Sequence, residues 1–407
     1  MLKHFLAVML LFVMGVSAFS QSIPSGTGRY TALGGSPFIL DASTDMFNNP
    51  SWNNYYQNYA FGDLNQFGEN DNFDGNAGVT FKVGKKWNLG MIINKRSDNF
   101  VAFNNDVLRP SNSPIVPFMG LVGTSLNKNF HLGLAPYVSM GSSEFTDTVG
   151  STKVKNTSMS IGANLGFTYL IKKGWIEGNI KFRMNSFKND STNSAGSLIV
   201  EKNSGGMEIG VSLRAWIYPS KGSKIAVVPL LGFYTYSFQP KATATSGGTS
   251  VTVNGLNWSW MNVNAGVGLN WPIMDDVQIA GGVTLSYNTA KSDSGSVSNK
   301  STDLIAPAFN MALETRITDW LTGRMGFNKS VRSGKFENNT QTFTNLISSS
   351  VFETISLGAG FHFGRFSIDA TVSERWLKQG VFFISGGNTT GDRDMFGLLS
   401  ASYNFAK

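Results

Sequence analysis

The chain has 407 residues, 33 Lys and Arg against 26 Asp and Glu for a formal net charge of +7, and is 13% aromatic but only 14% charged. Its aromatic content excludes a disordered chain, and its charge falls well below the roughly 25% of ordinary soluble domains. Cysteine is absent, which removes disulfides, a lipid-modified amino-terminal cysteine and thiolate metal sites, and no basic run of the kind that binds nucleic acid is present.

At the amino terminus Lys3 and His4 precede an apolar run from Phe5 to Val16, and Ser17-Ala18-Phe19-Ser20 supplies the small residues that a cut before Gln21 requires. The run is shorter than the ~20 residues of a spanning helix, so residues 1–20 are expected to leave as a signal peptide. No other long apolar stretch follows, which excludes a helical membrane protein. A secreted, periplasmic or outer-membrane location remains.

Residues 21–54 carry turn chemistry instead of alternation: Gly26-Thr27-Gly28, Leu33-Gly34-Gly35, then Asp41 through Asn49-Pro50. Gly-Gly permits positive backbone angles, and Asn-Pro starts a turn. A compact stretch of this kind ahead of the first strand is expected to fold into a lumen as a plug.

From residue 55 to the end the pattern is that of strands. In Met159 to Ile171 every second residue is apolar, and small or polar residues such as Ser160, Gly162, Asn164 and Thr168 lie between. A period of two puts the two sets on opposite faces of a sheet. The contrast recurs in Val263 to Trp271, Val277 to Tyr287 and Phe366 to Val372. Such repetition, with no helical periodicity to supply a cover for the apolar face, points to an all-β transmembrane antiparallel barrel over residues 55–407.

Tight turns are expected at Gly84 to Lys86, Asn127 to Asn129, Lys172 to Gly174, Pro219 to Ser223, Pro272 to Asp276, Thr318-Asp319 and Gly364. Long polar loops are expected at 97–114, 141–156, 188–204, 240–255, 291–301, 329–349 and 379–394. With a first strand in Tyr55 to Phe67 and a last one ending at Phe405, the hairpins give 16 strands. Short turns then face the periplasm and long loops the exterior.

Aromatic residues cluster near strand ends: Trp87, Phe130, Trp175, Trp216, Tyr218, Trp258, Trp260, Trp271, Trp320 and Trp376. Interface girdles are the expected role, with a stacking site for sugars as the lesser alternative. Ten charges fall on the polar phase and are expected in the lumen: Lys82, Glu177, Lys181, Arg183, Glu208, Arg214, Glu314, Arg316, Arg324 and Asp369. Both signs occur, which favours bracing ion pairs over a charge-selective ladder.

Only His131 and His362 lie beyond the signal, and no Gly-x-Ser-x-Gly, His-Glu-x-x-His, Walker or Rossmann pattern occurs. No enzyme activity, cofactor or metal is therefore expected.

The segment Arg29, Ala32, Gly34, Gly35, Asp41, Ser43, Asn49, Pro50 resembles the amino terminus of the FadL-type outer-membrane transporters and their relative PorV of the type IX secretion system. Asp45 to Asn48 is one residue out of step with that pattern, and Ser51 replaces its Ala. The resemblance covers about thirty residues, with Asp319 to Phe327 similar to a later strand. It implies a hatch near Gly34 to Pro50, a wall of 14 strands and passive uptake of small hydrophobic or amphipathic molecules. The alternatives are a PorV-like scaffold that holds secretion-system proteins and a general porin. The partners expected are outer-membrane lipid, lipopolysaccharide phosphates near the positive charge excess, and a hydrophobic small molecule.

Overall fold

The structure is a computed structural model and describes residues 27–64, 76–93, 118–147, 152–192, 198–246, 249–254, 257–293, 298–338, 342–347, 353–372 and 396–405. The expected signal peptide, the loops at 97–114 and 379–394, and Trp376 lie outside these residues.

Eighteen strand segments form one antiparallel sheet. The first four are short: β1 (Tyr59–Leu64), β2 (Ala77–Val83), β3 (Trp87–Ile93) and β4 (Phe118–Ser125). Tall strands follow: β5 (Phe130–Asp147), β6 (Thr152–Ile171), β7 (Gly174–Thr192), β8 (Leu198–Ile217) and β9 (Ala226–Ser246). After β10 (Thr249–Asn254) come β11 (Asn257–Met274), β12 (Val277–Asp293), β13 (Ser298–Arg316) and β14 (Leu321–Glu337). The chain ends with β15 (Thr342–Ile347), β16 (Glu353–Phe363), β17 (Phe366–Val372) and β18 (Phe396–Asn404).

β1 pairs with β2 on one side and β18 on the other, which closes the sheet into a cylinder. β10 and β11 lie end to end along β9, and β15 and β16 end to end along β14. Each of these pairs is one stave broken by an irregularity, so the wall has 16 staves, as the hairpin count predicts. The 14 implied by the resemblance does not hold. All seven expected tight turns fall between consecutive strands at one end of the barrel.

The apolar phase faces outward. On β6, Leu165 is 52% exposed and Ile161 50%, while the intervening Asn164 and Thr168 are fully buried. β8 repeats this with Met207, Val211 and Leu213 outside and Glu208 inside, and β11 with Val267, Leu269 and Trp271 outside and Asn270 inside. Large apolar side chains arrayed outward around a closed wall have no protein cover, and a bilayer is the solvent that suits them. No helix among the described residues is long and apolar enough to cross a membrane.

Several expected loops are strands. The polar stretches at 141–156, 188–204, 240–255, 291–301 and 329–349 pair through most of their length as upper parts of β5 to β15. Above the bilayer both faces meet water, so apolar alternation is lost there although backbone pairing continues. Two short helices, Thr27–Ala32 (α1) and Ala42–Asn48 (α2), also escaped the search for helical periodicity. At six and seven residues they complete too few turns to show it.

Candidate functional site

The stretch from Thr27 to Tyr56 touches staves all around the closed wall, and a segment can do so only from inside. Gly28 N–H donates to Ser400 Oγ on β18 (3.2 Å), and Asn328 Nδ2 on β14 donates to Gly34 O (2.6 Å). Asn270 Nδ2 on β11 donates to Phe38 O (2.8 Å), Asn164 Nδ2 on β6 to Phe47 O (3.2 Å), and Asn53 Nδ2 to Asn88 O on β3 (3.0 Å). Every one of these wall positions lies near the tight-turn end, so the segment fills that half of the lumen.

Local chemistry shapes the segment. α1 ends at Gly34 and Gly35, whose φ values of 70° and 63° are left-handed and suit glycine. Gly326 lets the wall meet that turn, since a Cβ there would stand 2.1 Å from Gly34 N. Asp41 caps α2, accepting from Thr44 N–H (3.1 Å) and Ser43 Oγ (3.0 Å), while Asp45 Oδ2 accepts from Asp41 N–H (2.7 Å). Asn49 caps the 3₁₀ turn Pro50–Asn54, accepting from Ser51 N–H (3.1 Å), with Pro50 at its first position. Gly34, Gly35, Asp41, Asn49 and Pro50 thus build the segment's turns and caps, with Ser43 bound to the Asp41 cap.

Two buried ion networks join plug to wall. Arg29 donates through Nε and Nη2 to both oxygens of Glu314 on β13 (2.8 and 2.9 Å), and Glu314 also accepts from Arg324 Nε on β14 (2.7 Å). Arg324 Nη1 reaches Asp369 on β17 (2.6 Å). Across the lumen, Arg214 on β8 donates to Asp45 (2.6 Å), to Glu177 on β7 and to Pro37 O (3.1 Å). Glu177 also accepts from Trp52 Nε1 and from Asn49 Nδ2 (3.3 Å). Burial and the neighbouring Glu177 push the Asp45 carboxyl up to about 7 against the pull of Arg214. Two carboxylates share one guanidinium here, and burial favours the extra proton.

Of the ten charges assigned to the polar phase, Glu177, Arg214, Glu314, Arg324 and Asp369 meet in these networks. Arg183 and Glu208 form a separate buried pair (3.5 Å), with Arg183 above the Tyr137 ring at 4.2 Å. Lys181 Nζ lies 3.5 Å from Asn48 Oδ1 of the plug. Lys82 and Arg316 sit at the tight-turn rim, Lys82 exposed and Arg316 paired with Asp319 (3.0 Å). His131 shares a hydrogen bond with Ser125 Oγ (2.7 Å), and His362 lies between Thr322 Oγ1 (2.9 Å) and Ser367 Oγ (3.0 Å).

The aromatic girdle needs correction. Trp87, Trp271 and Trp320 face outward and are about half exposed, but Trp175, Trp216, Trp258 and Trp260 occupy inward positions. Trp175 stacks on Trp216 (5.4 Å) beneath the plug's Trp52, and Tyr218 joins them at 6.4 Å. Higher up, Phe238 stacks on Trp258 (6.1 Å) and Tyr236 on Trp260 (5.8 Å). With Ile92, Met119, Leu121 and Tyr137 these rings pack on Met46 and Phe47 of the plug. The sign in the sequence is β9, which is apolar on both phases from Ala226 to Phe233 and carries Tyr234, Tyr236 and Phe238 on the inner one, and so has an apolar inner face to place.

Beside this cluster a cleft of about 310 Å³ opens between the plug and the inner wall. Thr44, Asn48 and Tyr30 of the plug face Asn179, Lys181, Gly210, Gly232, Tyr234 and Asn264 of the wall there.

A closed 16-stave antiparallel wall with an apolar exterior and a polar, plugged lumen defines an outer-membrane-type β-barrel. No protein-family model matches the chain, and no curated protein is detectably similar to it. Among solved structures it is similar to the Pseudomonas putida toluene transporter TodX (11% identity over 95% of this chain and 100% of that one, TM-score 0.40). It is likewise similar to the CymD monoaromatic hydrocarbon channel (10% identity, 96% and 100%, 0.41). A Pseudomonas aeruginosa FadL homologue is a third such structure (14%, 96% and 100%, 0.43). At these identities and TM-scores the likeness adds nothing to what this chain's own strand pairing establishes.

Proposed function

We propose that the protein is a passive outer-membrane channel for small hydrophobic or amphipathic molecules, with residues 27–56 as its plug. The observation that carries this reading is the apolar surface inside the wall. Tyr234, Trp258 and Trp260 point inward, are only partly buried, and continue onto the buried core of Tyr236, Phe238, Met46 and Phe47. A lumen built for water and ions has no use for such side chains, whereas an apolar solute gains about 25 cal/mol for every Å² it removes from water against them.

Purified protein in proteoliposomes tests the reading. Faster entry of a small apolar solute than of a sugar or amino acid of equal size is expected. Equal rates for all three would establish a general porin instead.

A further inference from the structure

Two chemically different surfaces adjoin the cleft above the plug. One is aromatic: Tyr234 meets Trp260 edge to face at 5.2 Å, and Trp260 stacks on Tyr236. The other is a ladder of amides. Asn264 Nδ2 donates to Asn262 Oδ1 (3.0 Å), and Asn262 Nδ2 donates to Ser286 Oγ (2.7 Å) and Asn288 Oδ1 (2.6 Å). The ladder ends at Asn264, which lines the cleft beside Tyr234.

Gly210 and Gly232 take inward positions that let Tyr234 and Asn264 lie close on the wall beside the cleft: a Cβ would stand 3.2 Å from the Tyr234 ring and 2.5 Å from Asn264 Oδ1. An unmet hydrogen bond lies there as well. Asn179 also lines the cleft, is 4% exposed, and its buried Oδ1 has no partner. A buried amide oxygen left unpaired costs free energy unless a donor arrives. Of the two cations in the lining, Arg214 is held by Glu177 and Asp45, and Lys181 lies by Asn48 Oδ1 and over the Phe47 ring, so neither is turned to selecting an anion.

We infer that this cleft is a binding subsite for an uncharged amphipathic molecule with hydroxyl groups along one edge, the chemistry of an alkyl or aryl glycoside. The ring face lies against Tyr234, whose ring Trp260 backs edge to face, and the hydroxyls bond Asn264 and Asn179. An aromatic face next to amide donors and acceptors matches a pyranose, which has an apolar face and a polar rim. A fatty-acid anion would find its charge unmatched, and a plain hydrocarbon would leave the amides unpaired. The inference rests on the channel reading for its biological sense but is separable from it by experiment.

The test is calorimetric titration of full-length protein in an amine-oxide detergent with hexyl glucoside, hexanoate and toluene, each below micelle-forming concentration. Saturable binding of the glucoside at least about tenfold tighter than either competitor is expected, with Asn264→Leu weakening it about fivefold or more. Tyr234→Leu is expected to weaken it similarly, and retention of the folded band in cold SDS shows that each variant is intact. Equal or tighter binding of hexanoate or toluene overturns the inference, as does unchanged affinity in both variants. Absence of glucoside binding while proteoliposomes still admit apolar solutes sinks the inference and leaves the channel standing. Glucoside binding without any uptake does the reverse.

Discussion

Arg29 on the plug and Glu314 on the wall form a two-point ion pair, 2.8 and 2.9 Å long, in which the arginine side chain is 2% exposed. Glu314 serves Arg324 as well, so it bridges two buried guanidinium groups, whose other carboxylates are Asp41 at 3.8 Å for Arg29 and Asp369 at 2.6 Å for Arg324. Glu314→Gln removes the carboxylate the two share. Breaking a buried pair from one side typically costs about 3–5 kcal/mol, and the variant is expected to lose its folded band in SDS at a lower temperature than the parent. Limited proteolysis within 27–56 should appear first.

Where the plug meets the opposite wall at Arg214, the proton on Asp45 gives its anchorage a pH dependence. The folded carboxyl sits at about 7, above its ordinary 3.8. A raised pKa means the folded state binds the proton more tightly than the unfolded one. Its contribution is therefore complete below the unfolded value and is lost as pH rises through about 7. Melting temperature should fall between pH 5 and pH 8 in the parent, and the slope should flatten in Asp45→Asn.

Contact between backbones makes a sharper steric prediction. Gly326→Val would put side-chain carbon where Gly34 N now lies. The rigid turn at Gly34-Gly35 cannot yield, so the amino-terminal segment should detach on this side while the wall persists. Far-ultraviolet circular dichroism should be unchanged, and a cysteine introduced at Ser36, which is fully buried in the parent, should become reactive to a soluble maleimide.

Leu165 lies midway along the apolar phase of β6 and faces outward. Leu165→Arg should cost ~2–4 kcal/mol as a charge near the bilayer midplane, measured as a shift in the urea midpoint of folding into lipid vesicles. Leu165→Ala should cost far less, because lipid fills the space.

The wall was legible because β6 and β11 each have one face for lipid and one for the lumen. Their contrast survives in the one-dimensional pattern, and the tight turns set the count. β9 was harder to read: Leu231 and Phe233 face lipid while Leu230 and Tyr236 face the lumen, so its two phases look alike. The ladder from Asn262 to Asn288 was invisible for another reason, since amides read as polar whether they face water or each other. Proximity to a strand end could not tell Trp271, outside, from Trp260, inside; their odd and even positions along β11 do.

The tall staves set how far the wall rises beyond the lipid. A strand of about 20 residues inclined at ~40° rises on the order of 50 Å, against a hydrocarbon-matched band of about 25 Å. From β5 through β14 the barrel is therefore a chimney with its mouth far above the lipid. On the channel reading, a compound approaching from that flank passes pairs such as Arg332 with Asp303 and reaches Phe238 on the order of 20 Å below the top of β9 at Ser246.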